Sequence, residues 1–358
     1  MNLQPSIHLL PRRISYIGGH IDPVFERRIE AATDLSLTRI DKTRPFADVR
    51  ETLATCHAIQ IDSARSDIPG HLLVERSLLS HCPKLLIVSA SGAGYDTVDV
   101  AACTEAGIIA VNQSGGNRES VAEHTLGMML SLIKRIAETD KLMRESRIER
   151  RMDFMGNELH GRTIGIIGIG QTGSRVAELC RGLFAMTVLA FDPYVDAEAM
   201  AAYGARKTSL SELLGASDFV SLHCPLDATT KGMIGAGELA QMKPGAYLVS
   251  TARGGIHDEH ALFAALSSGR LAGAGLDVWQ EEPPPANHPL LALNNVIASP
   301  HTAGVTHQAR HRLAEMAAEQ LIAIFRGERP QRLINPEVWP RFLQRFDATF
   351  PSQTARRA

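Results

Sequence analysis

Three side chains of different chemistry stand at equivalent places in the second half of the chain. Arg253 follows the apolar run ending Ser250-Thr251-Ala252, Glu282 follows Leu276-Asp277-Val278-Trp279, and His301 follows Ile297-Ala298-Ser299-Pro300. Each run reads as a strand, so each charged residue falls at or just past a carboxyl end, where open α/β sheets bind ligands. A guanidinium can hold a carboxylate bidentately. An imidazole can exchange a hydroxyl proton. A carboxylate behind that imidazole fixes its tautomer and favours its protonated form. One Arg, one Glu and one His converging on a nicotinamide is the set that hydride transfer on a hydroxy acid requires. Glu281 neighbours Glu282 and could be confused with it.

A second constellation points to the cofactor of such chemistry. Thr163-Ile-Gly-Ile-Ile-Gly168-Ile-Gly170-Gln171-Thr172-Gly173 runs from an apolar strand straight into GxGxxG, and a helical pattern follows. Gly168 allows the tight turn, Gly170 lets the backbone approach a pyrophosphate, and Gly173 lets helix and strand pack closely. The helix N-terminus then offers free N–H groups and a positive dipole end to phosphates. Asp192 ends the next strand, 19 residues beyond Gly173. A carboxylate there accepts from both ribose hydroxyls and repels a 2′-phosphate, which favours NAD over NADP.

These residues need two sheets to carry them. Apolar runs at 14–18, 58–61, 85–89 and 108–111 predict strands in the first half, with helices at 23–32 and 98–106. A second series predicts strands at 163–167, 187–191, 219–222, 247–250, 273–277 and 296–299. Strands alternating with helices imply α/β architecture with parallel sheets. A long helix is expected over 117–147, another from 306 to 325, and a surface wrap with a frayed end over 327–358, which holds four prolines.

Composition excludes several other classes. The 358 residues suggest about two domains. Lys and Arg total 37 against 39 Asp and Glu, which argues against a basic nucleic-acid footprint or a polybasic membrane surface. No run approaches the ~20 apolar residues of a membrane span, and the N-terminus carries no secretory pattern. Cys56, Cys82, Cys103, Cys180 and Cys224 are odd in number with no CxxC spacing, so a reducing cytoplasm is expected.

The segment Met242-Lys-Pro-Gly-Ala-Tyr-Leu-Val-Ser-Thr-Ala-Arg-Gly-Gly resembles a signature of the D-isomer-specific 2-hydroxyacid dehydrogenases. So do Gly275-Leu-Asp-Val-Trp-Gln-Glu-Glu-Pro and Ser299-Pro-His-Thr-Ala-Gly, with Gly92-Ala-Gly-Tyr-Asp and Ser120-Val-Ala-Glu-His in the same order. The resemblance implies two doubly wound domains, with a Rossmann NAD domain inserted in a flavodoxin-like substrate domain. The substrate domain would be 1–113 plus 306–358 and the NAD domain 114–305. Carried over, Arg253 would bind the substrate carboxylate and carbonyl, His301 would be the acid/base, and Glu282, which directly precedes Pro283 as the family's acid does, would pair with it. Gly92, Ala93 and Gly94 would bind the carboxylate through backbone N–H groups. Asp277 would orient the nicotinamide carboxamide, and His223, Cys224, Pro225, Thr251 and Ala252 would line the cofactor. A homodimer through the long apolar helical region is expected, since the family dimerises there.

The resemblance leaves the substrate open. Phosphoglycerate dehydrogenase is the nearest named activity, and reduction of hydroxypyruvate or glyoxylate is the alternative. NAD-sensing corepressors form a third class, for which no basic or disordered module is visible. Formate dehydrogenases pair the histidine with Gln, which Glu282 argues against. The segment after the last helix is too short for a small-molecule-sensing domain. Ser250 stands where the family has Asn and should support the Arg253 turn less firmly, while Thr172 replaces an aliphatic residue without threatening the turn.

Four further features have plainer readings. His257 and His260 have metal-pair spacing, but Asp258 reads as a helix cap and no third ligand is apparent, so no metal site is expected. His124 reads as a packed or capped helical histidine, although the matching family stretch lies near the cofactor, and Cys224 reads as strand material. Arg144, Arg147, Arg150 and Arg151 form either a solvated helix end or a source of cations for a phosphorylated substrate.

Overall fold

The computed structural model describes residues 11–19, 22–147 and 150–351. They divide into two compact units, one running to Asn117 and resuming at His307, the other spanning Arg118–Thr306.

The first unit carries five parallel strands: β1 (Arg12–Ile17), β2 (Leu35–Ile40), β3 (Ala58–Ile61), β4 (Ile87–Ala90) and β5 (Ile109–Val111). Their order is β2-β1-β3-β4-β5, that of flavodoxin-like sheets. β3, β4 and β5 are buried along their whole length, as strands covered on both faces must be. Helix Val100–Ala106 shows how the local sequence sets its own ends. Asp99 caps it by accepting the Ala102 N–H at 2.9 Å, and Gly107 closes it in the left-handed conformation at φ 68°.

The second unit holds seven parallel strands: β6 (Thr163–Ile167), β7 (Thr187–Phe191), β8 (Arg206–Lys207), β9 (Phe219–Leu222), β10 (Ala246–Ser250), β11 (Leu271–Leu276) and β12 (Val296–Ala298). Their order is β12-β11-β10-β9-β6-β7-β8. That is the 3-2-1-4-5-6 winding of dinucleotide-binding sheets with one more strand at the edge. The switch in winding falls between β6 and β9, so the glycine turn after β6 opens at the crevice where such sheets take ligands.

Several expectations are corrected. β2 goes beyond the sequence expectation: Leu-Ser-Leu-Thr-Arg-Ile is only partly buried because it is an edge strand, and its polar residues interrupt any apolar run. β8 has two residues, too few to leave a pattern. The expected helix over 117–147 is two helices, Arg118–Ile133 and Ile136–Arg144. Arg135 breaks it at φ 57°, with its guanidinium on Glu138 at 2.7 Å and on the Asp153 carbonyl at 3.0 Å. The tail is core rather than surface wrap. Helix Trp339–Thr349 buries Phe342 and Phe346 completely, against Phe325 and Leu321. Pro340 sits in its first turn, where a missing N–H costs nothing. The expected frayed end at 352–358 lies outside the described residues. The first unit runs to Asn117, four residues past 113, with Gly116 tied to it by Gln113 and Arg312.

Candidate active site

The turn after β6 is shaped as a cradle. Gly168 has φ 87°, and a Cβ there would come within 2.6 Å of the Cys224 backbone nitrogen. Gly173 is buried, and a Cβ on it would meet the Gly168 carbonyl at 2.1 Å, so the helix Gln171–Phe184 packs directly on the turn. Gly170 is the helix N-cap, makes no side-chain cap, and has nothing within 4 Å of where a Cβ would stand. Gly170 and Gln171 are exposed and Thr172 partly so, leaving the first N–H groups of the helix open to an anion. These features fit a dinucleotide pyrophosphate. Asp192 follows β7 and accepts the Ile169 N–H at 3.1 Å and the Tyr194 N–H at 3.0 Å. Each carboxylate oxygen keeps a lone pair for a further donor. His223 binds the Ile167 carbonyl through its N–H at 2.8 Å and meets Ser221 through Nε2, also at 2.8 Å. Cys224 is buried, which pushes its thiol up to about 11 and makes it inert, and Pro225 beside it is exposed.

The ends of β10, β11 and β12 bring Arg253, Glu282 and His301 into one network. His301 Nδ1 lies 2.8 Å from Glu282 Oε2. Glu282 Oε1 accepts the Trp279 N–H at 3.1 Å. Burial pushes the Glu282 carboxyl up, but the His301 hydrogen bond and charge, the Trp279 N–H and the Arg253 charge outweigh it. The carboxyl therefore sits below the usual range and is anionic at neutral pH. Glu281 is exposed and makes no such contact. Arg253 Nη1 donates to the Ala252 carbonyl at 2.6 Å. Gly254 follows because nothing larger fits: a Cβ would come within 1.8 Å of the Trp279 carbonyl. This contact locks the turn after β10 to the turn after β11. Ser250 is fully buried and its Oγ has no hydrogen-bond partner, so the hydroxyl gives the Arg253 turn nothing.

Asp277 faces inward. It is 1 % exposed, and its carboxylate accepts from Ser299 Oγ at 2.6 Å, Thr302 N–H at 2.8 Å and Ala303 N–H at 2.9 Å. Its backbone carbonyl accepts the His301 N–H at 2.7 Å. The carboxylate is thus engaged by the loop that carries His301. Trp279, whose indole donates to the Ser299 carbonyl at 3.0 Å, also holds this loop. Ser299 and Trp279 were not singled out by sequence reasoning, because neither bears a charge and both read as strand-end filling. Thr251 meets Thr125 at 3.2 Å between hydroxyls, and Ala252 is 7 % exposed.

In the first unit, the loop after β4 holds Gly92, Ala93 and Gly94. The Gly92 N–H is already given to Ser63 Oγ at 2.6 Å, and the Gly92 carbonyl accepts from the Gln113 N–H at 2.8 Å. Asn112 Nδ2 holds the Ala93 carbonyl at 2.7 Å. Of the three expected N–H donors, Gly92 is therefore spent, a correction whose cause is Ser63 at the end of β3.

The remaining candidates resolve as follows. Asp258 caps helix Glu259–Ser267 through the His260 and Ala261 N–H groups. His257 is buried with neither ring nitrogen partnered, and burial lowers it to about 4 despite Glu259 and Asp258 nearby. Among the described residues no three His, Cys, Asp or Glu are grouped to hold a metal ion. Arg144 pairs with Asp140, Arg147 with Glu145 and Arg150 with Asp153. No described helix is long and apolar enough to cross a membrane. All five cysteines are free and buried.

Comparison with known proteins agrees with this geometry. Residues 126–303 match the family described as D-isomer specific 2-hydroxyacid dehydrogenase, NAD binding domain. A glyoxylate reductase of Korarchaeum cryptofilum is 41% identical over 268 residues, covering 74% of this chain and 80% of that protein. A D-3-phosphoglycerate dehydrogenase of Archaeoglobus fulgidus is 38% identical over 268 residues, 75% of this chain but 50% of that protein. The chain thus spans about half the length of that dehydrogenase. The crystal structure of a D-lactate dehydrogenase from Aquifex aeolicus, complexed with NAD and lactic acid, superposes with a TM-score of 0.76. It is 30% identical and covers 88% of this chain and 96% of that one. The chain belongs to the D-isomer specific 2-hydroxyacid dehydrogenase family, and its cofactor is NAD.

Proposed function

We propose that this protein reduces a small, unphosphorylated 2-keto acid of the glyoxylate or hydroxypyruvate kind to the D-2-hydroxy acid, and catalyses the reverse oxidation. The observation that carries the reading is the 2.8 Å bond between His301 Nδ1 and Glu282 Oε2. It leaves Nε2 as the ring nitrogen that exchanges the substrate's proton, and it keeps an anion beside the ring. When bound, NADH supplies the hydride and NAD accepts it. Gly168, Gly170, Gln171, Thr172 and Gly173 would hold the pyrophosphate, and Asp192 would take the ribose hydroxyls. His223, Cys224, Pro225, Thr251 and Ala252 line the cofactor's path. Arg253 binds the substrate carboxylate and polarises the carbonyl. His301 delivers a proton to the carbonyl oxygen in reduction and removes it in oxidation. Ala93 and Gly94 are the amides proposed to bind the carboxylate. Asp277 is proposed to orient the carboxamide through Oδ2, which accepts the Ala303 N–H and keeps a second acceptor position, since Oδ1 and both backbone groups are engaged.

An unphosphorylated substrate is supported by the arginine run, three of whose members are matched by acids. It is also supported by the higher identity to the glyoxylate reductase, 41% against 38% for the phosphoglycerate dehydrogenase. The relatives named D-3-phosphoglycerate dehydrogenase keep a phosphorylated substrate as the second reading. A homodimer is supported by Ile136, Met143, Met152 and Met155, which are 54%, 64%, 56% and 69% exposed within one stretch of the second unit. Five free thiols support a cytoplasmic location.

The test is NADH oxidation with glyoxylate, hydroxypyruvate and 3-phosphohydroxypyruvate in parallel. Higher kcat/KM for either of the first two is expected. A preference for the phosphorylated acid would select the second reading, and no turnover of any would reject the enzyme.

A further inference from the structure

The histidine of the helix Arg118–Ile133 has a partner that the reaction scheme above does not use. His124 Nε2 lies 3.0 Å from Ser299 Oγ, and Ser299 Oγ lies 2.6 Å from Asp277 Oδ1. A carboxylate only accepts, so the single hydroxyl proton of Ser299 points at Asp277. The serine oxygen must then accept from His124, whose Nε2 carries hydrogen. The neutral Nε2–H tautomer and the imidazolium both satisfy this, so the chain His124→Ser299→Asp277 runs in one direction whatever the ring's charge.

One turn earlier on the same helix, Ser120 Oγ donates to the Ala303 carbonyl at 2.6 Å. Ser299 stands two residues before His301 and Ala303 two residues after it. The helix therefore grips the loop on both sides of His301, with two side chains spaced i, i+4. The residue between the grips needs them. His301 has φ 55°, a left-handed conformation that a residue with a Cβ adopts at a cost. Asp277 completes the clamp: its carboxylate binds Thr302 N–H and Ala303 N–H, and its carbonyl binds the His301 N–H.

We propose that His124, with Ser120, is a positioning residue for His301: it fixes the Ser299 hydroxyl so that Asp277 holds the loop in the one conformation that aims the imidazole. The polar partners of His124 are Ser299 and, at 3.8 Å, Asp277 Oδ1, neither of which is assigned to substrate or to proton transfer. The inference rests on His301 being the acid/base of the proposed reaction, and its test therefore has one arm that does not depend on turnover.

The variants are His124→Ala, His124→Gln and Ser120→Ala. Gln keeps an N–H donor near the place of Nε2, whereas Ala removes it. The first arm is hydrogen exchange of the Thr302 and Ala303 amides, expected to speed up about tenfold in His124→Ala and to return toward the parent rate in His124→Gln. The second arm is keto-acid reduction. His124→Ala should lower kcat about 10- to 100-fold, as a displaced catalytic group does, with NADH binding by fluorescence unchanged. His124→Gln should recover most of that loss. Because His124 is partly exposed, a fold defect is not expected, but Ser120→Ala provides a second route to the same loosening. Unchanged exchange in both Ala variants would overturn the clamp. Faster exchange with full kcat would overturn its positioning role. A loss of kcat that Gln does not restore, accompanied by lost NADH binding, would assign His124 to the cofactor instead. Parent protein that turns over no 2-keto acid would contradict the proposed function itself, and the exchange arm would still decide whether the clamp exists.

Discussion

The two units hold their strand ends by different means. In the first, what is held is backbone. Gly92 and Ala93 are pinned by Ser63, Asn112 and the Gln113 N–H. In the second, side chains are themselves held by side chains: Glu282 on His301 and Asp277 on Ser299. The difference follows from the work proposed for each. A loop that offers N–H groups to an anion needs only to be kept open. A ring that moves a proton must be aimed and must keep a defined charge beside it. The second task needs several residues from three strand ends.

The sharpest way to break this comparison is to remove the ring. His301→Gln should lower kcat/KM for keto-acid reduction by about 10²–10⁴, the usual worth of a positioned acid or base, while NADH still quenches fluorescence on binding. Comparable activity in that variant would put the proton transfer elsewhere.

The first unit is broken through its core. Phe346 is fully buried in the helix Trp339–Thr349. Phe346→Ala should cost about 3–5 kcal/mol in urea unfolding. A cost below about 1 kcal/mol would return the segment to the surface, as a peripheral substitution would.

Acid sharpens the comparison next. His257 in the second unit is buried without a partner and lowered to about 4. The unfolded chain takes up that proton near 6.5, the folded chain only near 4. The stability is therefore present above 6.5 and is lost as pH falls toward 4, by an amount on the order of 3 kcal/mol. His57 in the first unit is also lowered to about 4, by burial and by Arg13, Lys84 and Arg12. Its Nδ1 accepts the Arg13 N–H at 3.0 Å, a bond that protonation would break. His257→Leu should flatten the acid slope of unfolding midpoints between pH 7 and 4.5 while leaving the share due to His57. An unchanged slope would mean that the ring is hydrated or paired.

A smaller effect concerns the cofactor. Replacing Asp192 by Ala should shift the NADH-to-NADPH preference by about 100-fold toward NADPH, since a like-charge contact worth several kcal/mol is removed. Parallel kcat/KM values with the two cofactors give the result, and an unmoved ratio would mean that the 2′-phosphate lies away from this carboxylate.

The sequence made some of these features legible and hid others for physical reasons. The glycine turn and the charged residues past β10, β11 and β12 were readable because strand, turn and charge follow one another within a few residues. Ser63 was not, since its role depends on β3 and β4 lying side by side. The clamp on His301 was hidden in the same way: His124 and Ser299 are 175 residues apart. A mostly buried helix with one histidine carries no mark of which loop it will meet. The tail misled because four prolines suggest irregular chain, while Phe342, Phe346 and Phe350 at spacing four are a buried stripe.

The central claim is that the anionic Glu282, paired with His301 at 2.8 Å, governs the proton transfer. Glu282→Gln preserves shape and a hydrogen bond but removes the charge. The measurement is the pH dependence of kcat/KM for this variant and its parent in both directions. The high-pH limb of keto-acid reduction should move toward lower pH, and the low-pH limb of hydroxy-acid oxidation should move the same way, because the anion that favours the proton-bearing partner is gone. Limbs that stay in place in both directions would contradict the pairing as the source of the proton chemistry.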